Sequence, residues 1–332
     1  MSFDNIHLEK GMYAGGRTLT QTLESLDPSA AYKGTALENL DAFQRQLKRF
    51  DIKVSGPQSD VLAKFFAGSD SSALFPEYVS RAVQLGLSEA DQLQNLLAAT
   101  TYIQSQDYRA LSSDLGADEF AEVGEGEEIP QTVVSAQKNL TRLKKRGRML
   151  VASYETLKFQ RLDVLTVTLK QIGAYIARQQ LSDAVDTLIN GDGNDNAAQV
   201  VHTAAAGMLG YADLLALFAG IDPFEMNAML VSGGTLLKML AIDEFKNPET
   251  GLNFQATGKL TTPLGAALVR TAGAPDGAVV GLDKNYALEM IVANGVQIDY
   301  DRLIDRQLER AAISCVAGFA KIFTGASMML KL

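Results

Sequence analysis

A long apolar stripe over residues 156–189 constrains the fold of this chain more than any other feature. Aliphatic residues recur there at three- and four-residue steps, the spacing that places side chains on one face of an α-helix. They are Leu162, Leu165, Leu169, Ile172, Ile176, Leu181, Val185 and Leu188. Some ~34 residues at ~1.5 Å rise predict a helix of about 50 Å, far longer than an average helix. We therefore expect an elongated spine, with Gly173 as a candidate position for a bend.

Charge is segregated along residues 102–152. Acids come first, turn-forming residues around Pro130 follow, and bases come last. The acids are Asp114, Asp118, Glu119, Glu122, Glu125, Glu127 and Glu128, and the bases are Lys138, Arg142, Lys144, Lys145, Arg146 and Arg148. One interpretation is a solvated surface. The other is a projecting β-hairpin whose charge complements a neighbouring copy of the chain.

The second interpretation assigns candidate contact residues between copies. These are Glu122, Glu125, Glu127, Glu128, Lys138, Arg142, Lys144, Lys145 and Arg146.

A run of Asn, Gly and Asp occupies residues 190–196, directly after the predicted helix. Asn and Gly tolerate positive φ, so the sequence predicts that Asn190 and Gly191 end the helix and that Asp192, Gly193 and the residues after them reverse the chain. A calcium loop is the alternative. An EF-hand closes with a glutamate at its twelfth position, and that position counted from Asp192 is Thr203.

The N-terminal third contains short apolar clusters. Residues 1–58 are polar, with one amphipathic segment at 37–50 that ends before Ser55-Gly56-Pro57. From Val61 to about Gln106, apolar clusters alternate with breaking residues, and few have partners nearby in the sequence. We interpret this stretch as an arm that lies on something else; an ordinary subdomain of short helices is the alternative.

The C-terminal half mixes helix and strand patterns. Residues 207–245 predict two helices, the first opening at Tyr211 and the second at Asp222-Pro223, with an interruption at Ser232-Gly233-Gly234. Segments 260–263, 278–282 and 296–300 have strand patterns. Residues 304–323 fit a strand by alternation, although a helix also suits part of their spacing. Helices and strands do not alternate regularly, so we predict the α+β class.

Composition excludes several function classes. The formal net charge is -9, which argues against a dedicated nucleic-acid binder because such proteins carry basic surfaces. The one cysteine, Cys315, cannot form an intramolecular disulfide, so no oxidising compartment is required. The N-terminus has no signal-peptide pattern, and no stretch of ~20 apolar residues exists to span a bilayer.

The inventory of catalytic residues is small. The histidines are His7 and His202, too few with Cys315 for a Cys/His zinc site. The sequence contains neither a nucleophile elbow nor a phosphate-binding loop. We interpret Cys315 as a small apolar residue, and we expect no enzyme activity and no cofactor.

Four segments, in their order along the chain, resemble tailed-phage major capsid proteins of the Hong Kong 97 type. They are Ser72–Val79, Lys145–Tyr154, Gly281–Tyr286 and Ile304–Ala311, and the Asn190-Gly191-Asp192-Gly193 turn is the best single mark. The resemblance covers roughly residues 60–330. It implies the Hong Kong 97-type fold, with an N-terminal arm, an extended E-loop hairpin, a peripheral domain with a long spine helix, and an axial domain.

The resemblance also implies how the chain is divided. An N-terminal extension and arm would span 1–100, the E-loop and its strands 101–148, and the peripheral domain 149–199. The axial domain would span 200–297, and residues 298–332 would return to the peripheral domain.

The implied function is a shell of hexamers and pentamers of this chain around double-stranded DNA, held without sequence-specific contact. Implied partners are a separate scaffolding protein, a portal and a decoration protein, with no membrane. The implied location is the virion capsid, assembled in the cytoplasm of the host bacterium. Some relatives join subunits by isopeptide bonds from an E-loop lysine, but here no lysine follows Pro130 until Lys138. We therefore expect a noncovalent shell.

Two other functions remain open from sequence. One is an encapsulin-like nanocompartment, which shares the fold but encloses cargo proteins. The other is a soluble enzyme or a calcium-binding protein that uses the 190–196 loop. Removal of a short N-terminal leader by a protease also remains open.

Overall fold

The computed structural model describes residues 2–9, 11–13, 17–105, 107–114, 124–126, 133–153, 155, 159–246, 262, 264–303, 305–306 and 308–332. The chain forms two compact units, each assembled from three separate segments. Unit 1 comprises Met1–Ala90, Arg146–Ile176 and Val296–Cys315. Unit 2 comprises Asp91–Lys145, Ala177–Gly295 and Val316–Leu332.

The predicted long helix is confirmed, although it begins at Leu162 and not at residue 156, and several short helices accompany it. In chain order they are α1 (Leu19–Leu26), α2 (Ala42–Arg49), α3 (Ser69–Ser72), α4 (Phe75–Ala90), α5 (Leu162–Asn190), α6 (Tyr211–Gly220), α7 (Gly233–Leu240) and α8 (Asp243–Lys246). Short 3₁₀ helices cover Ser2–Asn5, Ser29–Tyr32, Leu62–Ala67, Leu93–Asn95 and Thr324–Ala326. Helices α1 and α2 begin with capping boxes, in which Thr18 pairs with Gln21 and Asp41 pairs with Gln44. No helix in the described ranges is long and apolar enough to cross a membrane.

The strands form three sheets. They are β1 (Ala99–Tyr102), β2 (Leu111–Asp114), β3 (Val133–Ala136), β4 (Lys144–Ser153), β5 (Gln199–His202), β6 (Ala228–Val231), β7 (Ala267–Arg270), β8 (Ala278–Leu282), β9 (Leu288–Leu303), β10 (Leu308–Lys321) and β11 (Ser327–Lys331). The four-stranded sheet has the order β1-β9-β10-β4, and the five-stranded sheet has the order β5-β11-β8-β6-β7. Strands β2 and β3 form an antiparallel pair of their own.

Unit 1 is held by one large hydrophobic core. Helices α1, α2 and α4 pack there with the first half of α5 and with β10. The buried residues include Leu19, Leu23, Phe43, Leu47, Val79, Val83, Leu162, Leu169, Ile172, Ile176 and Ile313. The N-terminal segment is therefore part of the core of this unit.

The apolar residues in the first part of the 61–106 stretch have partners within the subunit. Phe65, Leu74 and Phe75 are buried in the unit 1 core, and the Phe65 ring lies 5.3 Å from the Tyr78 ring. The other members of this core are far away in the sequence, so the local pattern could not reveal them. Residues 61–90 pack as the alternative interpretation expected, while their contact with a neighbouring copy stays a prediction.

A buried ion pair ties α1 to α2 within the N-terminal segment. The Arg45 guanidinium donates from Nε to Asp27 Oδ2 at 2.7 Å, and both side chains are fully buried. It also donates to the Asp27 backbone oxygen at 2.6 Å and lies 4.3 Å from the centre of the Tyr32 ring. A buried charge that lost its partner would be costly, because desolvation would no longer be offset. This network fixes the geometry of residues 27–45.

Helices α4 and α5 approach each other closely at two glycines. A Cβ atom added at Gly86 would overlap the backbone of Lys170, and one added at Gly173 would overlap the carbonyl of Val83. Gly173 is thus required for backbone contact between two helices, whereas the sequence indicated it only as a place for a bend. Lys170 and Glu89 form an ion pair of 2.7 Å beside this crossing.

Unit 2 is built on the five-stranded sheet. Strand β6 pairs with β8 and β7, and all four of its residues are buried. Leu214 and Leu217 of α6 pack in the same core as Met229, Val231 and Val279. The second half of α5 supplies Leu181, Val185 and Leu188 to a second core.

The sequence-based prediction for residues 222–231 is wrong. No helix begins at Asp222-Pro223, because residues 221–224 form a turn and the apolar run after them is the buried strand β6. The following helix instead begins after Ser232, whose side chain accepts a hydrogen bond from the Thr235 amide. Strands are confirmed at 278–282 and 296–300, and residues 308–321, for which the sequence left strand and helix open, form strand β10. The strand predicted at 260–263 falls mostly outside the described residues.

Replacing Gly173 with Ala is expected to destabilise the folded chain by about 1–3 kcal/mol or more, because the added methyl group forces α4 and α5 apart. The measurement is chemical unfolding of the unassembled chain. Gly11→Ala is the matched control, since a Cβ there meets nothing within 4 Å. Equal stability of the two variants would contradict the close helix crossing.

Candidate assembly interface

The hairpin β2–β3 occupies the centre of the charge-segregated segment. Its register pairs Leu111 with Ala136 and Asp114 with Val133. Leu111 and Val134 expose more than half of their side-chain surface. Each strand of the pair therefore leaves one apolar side chain in contact with water in the single subunit.

The candidate acids divide between described and other residues. Glu125 is exposed between Gly124 and Gly126, and Gly126 has φ +86°, the left-handed conformation of a turn. Glu122, Glu127 and Glu128 lie outside the described residues. The chain therefore places at least one exposed carboxylate between the two hairpin strands.

The candidate bases follow the hairpin. Lys138, Arg142 and Lys145 are exposed, whereas Arg146 is partly buried. Lys144 is engaged within its own unit: its Nζ lies 2.8 Å from Asp183 Oδ1 and 3.6 Å from Asp186 Oδ2, both on α5. Three of the candidate bases thus point their charge to solvent, and Lys144 anchors the start of β4.

The turn at 190–196 joins the helix end to the base of the hairpin. Helix α5 ends at Asn190, and Gly191 and Gly193 have φ of +82° and +96°, which confirms the predicted helix end. The Asp192 carboxylate accepts hydrogen bonds from Gln137 Nε2 at 3.1 Å and from the Lys321 amide at 2.9 Å. It also accepts from Asn194 N at 3.2 Å and Asn194 Nδ2 at 3.0 Å.

The polar groups of this turn have a structural role. Both Asp192 oxygens are saturated by N–H donors, an arrangement that fixes three chain segments. Among the residues that the structure describes, no group of three His, Cys, Asp or Glu side chains could hold a metal ion. Cys315 is buried in the unit 1 core among apolar residues, and His202 is exposed on β5.

The outer face of α6 is exposed and uncharged. Between Thr203 and Ile221 the only charged residue is Asp213, and its carboxylate accepts from the amides of Ala204 and Gly210, each at 2.9 Å. The exposed residues here are Ala204, Ala205, Ala206, Met208, Ala212, Leu215, Ala216, Phe218 and Ala219. A surface of this kind disfavours a charged partner and favours an apolar one.

Comparison with known proteins decides the family. A family model described as phage capsid protein matches residues 137–320, more than half of the chain. The chain belongs to the phage capsid protein family. The match begins at the hairpin base and ends at β10, so it includes Gln137, the long helix and the 190–196 turn. No curated protein matches the sequence.

Solved capsid structures share the fold. The capsid of a native GTA particle superposes with a TM-score of 0.53 at 15% identity, covering 72% of this chain and 89% of that one. A virus-like particle from Pyrococcus furiosus has a TM-score of 0.51 at 12% identity, covering 77% and 99%. The capsid of cyanophage P-SCSP1u has a TM-score of 0.51 at 13% identity, covering 73% and 88%.

These comparisons confirm the predicted identity and fold. The chain is a phage major capsid protein of the α+β class with the Hong Kong 97-type fold, and its role is structural. Its location is the capsid of a virion, where copies of the chain assemble with one another. The five-part division of the chain and the individual contact residues between copies stay predictions.

Sequence reasoning missed two polar residues of the hairpin base in this capsid protein, Gln137 and Lys321. The Lys321 side chain is fully buried, and its Nζ donates to the Leu188 carbonyl in the last turn of α5 at 3.4 Å. Burial lowers the pKa of Lys321 to about 8, although the nearby Asp192 carboxylate opposes that shift. A lysine that directly follows the mostly apolar run 311–320 was the sequence signal available for this position.

The buried Lys321 predicts a pH dependence of stability. The unfolded capsid protein binds more protons than the folded one between pH 8 and pH 10.5, so this residue makes stability rise with pH across that window, by at most about 1.4 kcal/mol per unit. Lys321→Met removes this contribution. The measurement is denaturant unfolding of the unassembled subunit from pH 7 to 10.5.

Lys331→Met, which removes an exposed lysine from β11, is the matched control. Its free energy of unfolding should rise with pH as steeply as that of the wild type. If the unfolding free energy of the wild type and of Lys321→Met changed equally with pH, the lowered pKa of the buried Lys321 would be contradicted.

Proposed function

We propose that the chain assembles as hexamers and pentamers into an icosahedral shell around a double-stranded DNA phage genome, and that the shell is held by noncovalent contacts of the 111–136 hairpin. Family membership supports the shell. The observation that carries the proposed contact is the hairpin itself, with an exposed apolar side chain on each strand, the exposed Glu125 between the strands and exposed bases after the second strand.

The charge distribution favours contacts between copies. Acids lie between the hairpin strands, and Lys138, Arg142 and Lys145 lie beyond β3. The tip of one copy can therefore meet the base of the next in a head-to-tail contact, the kind that closes into rings when the rotation closes. Such complementary charge sets register and partner choice more than affinity.

Apolar surface supplies the remaining attraction in this proposal. Leu111 and Val134 on the hairpin and Leu215 and Phe218 on α6 are exposed in the single subunit. Removing apolar surface from water stabilises by roughly 25 cal/mol per Å². Covering these faces with neighbouring copies gives assembly a driving force that needs no covalent bond, and the segment 115–132 contains no lysine.

The genome is proposed to lie inside without sequence-specific binding. The net charge of the chain is -9, and like charge keeps packaged DNA from adhering to the wall. A separate scaffolding protein, a portal and a decoration protein are the partners that this proposal adds, with assembly in the cytoplasm of the host bacterium. The arm formed by residues before 100 would add a second overlap with neighbouring copies.

Reversing Glu125, Glu127 and Glu128 to Lys is expected to weaken assembly while each subunit stays folded. Exposed ion pairs contribute about 0.2–1 kcal/mol each, so three reversals should raise the critical subunit concentration about tenfold or more. The measurement is the shell fraction in sedimentation velocity at several salt concentrations, because salt screens exposed charge.

The matched control reverses Lys138, Arg142 and Lys145 to Glu in the same chain, which should restore assembly. Unchanged particle yield in the acid-reversed chain, with no shift in salt sensitivity, would show that the acidic segment is only solvated surface.

A further inference from the structure

Side-chain hydrogen bonds of Gln137 and Asn139 join the second strand of the hairpin base to the 190–196 turn. The first strand is held separately, by Tyr108 Oη donating to Glu289 Oε1 at 2.8 Å and by Ala110 packing in a small apolar cluster. Gln137 donates to Asp192 and to the Lys321 carbonyl, both at 3.1 Å, and its Oε1 accepts from Asn194 Nδ2 at 3.0 Å. Asn139 donates from its backbone to Asn194 Oδ1 at 2.7 Å and from its side chain to the Gly193 carbonyl at 2.6 Å. We call this set the hairpin clasp.

Asp192 is the centre of the hairpin clasp. Its Oδ2 is shared by Gln137, which directly follows β3, and by the amide of Lys321, which ends β10. Its Oδ1 accepts from Asn194, which holds the turn closed. The Asp192 amide donates to Asn196 Oδ1 at 3.0 Å. One carboxylate thus connects the end of β3, the end of β10 and the turn after α5.

The two strands of the hairpin are held to each other by different bonds. Backbone bonds from Gln137 to Ala110 and from Thr141 to Tyr108, each 2.8 Å, continue their pairing at the base. Loss of the Asp192 carboxylate would leave these bonds in place but would remove the charged acceptor that Gln137 shares with the Lys321 amide. Hydrogen bonds to a charged acceptor are the stronger class in proteins, so this carboxylate is a main restraint on the position of the β3 end.

We propose that Asp192 is a positioning residue for shell assembly: through Gln137 it fixes the direction in which the 111–136 hairpin leaves the subunit. The inference rests on the proposed hairpin contact and assigns the residue that aims it. A small rotation at the base moves the distant tip much farther, so the hairpin clasp decides whether the tip reaches a neighbouring copy. Gly191 keeps the turn compact, because a Cβ there would lie 2.6 Å from Asn196 Oδ1.

The first test concerns the isolated subunit. Asp192→Asn keeps the size of the side chain but replaces one acceptor oxygen with an NH₂ group that faces donors. Hydrogen exchange of peptides covering residues 107–114 and 133–143 should become at least tenfold faster, with α5 and the five-stranded sheet unchanged. Asp195→Asn is the matched control, since it removes the same charge from an exposed position of the same turn.

The second test separates positioning from general stability. Asp192→Asn is combined with reversal of Glu125, Glu127 and Glu128, and shell yield is measured for each single variant and for the combination. If Asp192 acts through the hairpin, reversal has little further effect in the Asp192→Asn chain. Independent effects would instead add. Gln137→Met, which leaves Asp192 bonded to Lys321 and Asn194, should reproduce both results if Asp192→Asn proves poorly folded.

Unchanged hydrogen exchange at the hairpin base, or fully additive losses of assembly, would overturn the assignment of Asp192. This outcome is distinct from failure of the proposed hairpin contact, in which reversal of the tip acids has no effect in the wild-type chain. The exchange measurement needs no assembly, so it tests the hairpin clasp in either case.

Discussion

One hydrophobic core in each unit depends on the same helix, α5. Its first half places Leu162, Leu169 and Ile172 in the core of unit 1, and its second half places Val185 and Leu188 in a core of unit 2. A helix of 29 residues is about 43 Å long, more than one ordinary core can cover. The close approach to α4 at Gly173 and the turn after Asn190 limit how each part of this helix can be packed.

The proposed assembly contacts use what the cores leave exposed. The hairpin and the outer face of α6 keep apolar side chains in water in the single subunit, a cost that is recovered only when another molecule covers them. The hairpin clasp holds the base of the hairpin in place and leaves its strands exposed. A shell built in this way would be reversible, since its contacts are charge complementarity and apolar burial.

The sequence predicted the elements whose signals are local. The stripe of α5, the helix end at Asn190 and the alternation in β10 are all visible within a few turns or a few residues, and the structure confirms them. A missed helix, α1, had a local signal as well, the capping box of Thr18 and Gln21. Strand β6 had none, because a four-residue apolar run fits a buried strand and a helix equally well.

What the sequence could not reveal depends on distant contacts. From the sequence, Phe65 and Phe75 were assigned to an arm, because the helices that bury them, α1, α2 and α5, are distant along the chain. Asp192 looked like a turn residue, because its partners Gln137 and Lys321 are 55 and 129 positions away. The charge-split segment illustrates a third limit: its pattern suggested a hairpin, but only the structure distinguished the solvent-facing Lys145 from Lys144, which is paired with Asp183.

A cryo-EM reconstruction of particles formed by the full chain, expressed with the proposed scaffolding protein, is the decisive measurement. We expect closed icosahedral shells in which the 111–136 hairpin of each copy lies on its neighbour, with no covalent link between them. A chain that stays a monomer of about 36 kDa under the same conditions, or shells in which each hairpin folds back on its own subunit, would contradict it.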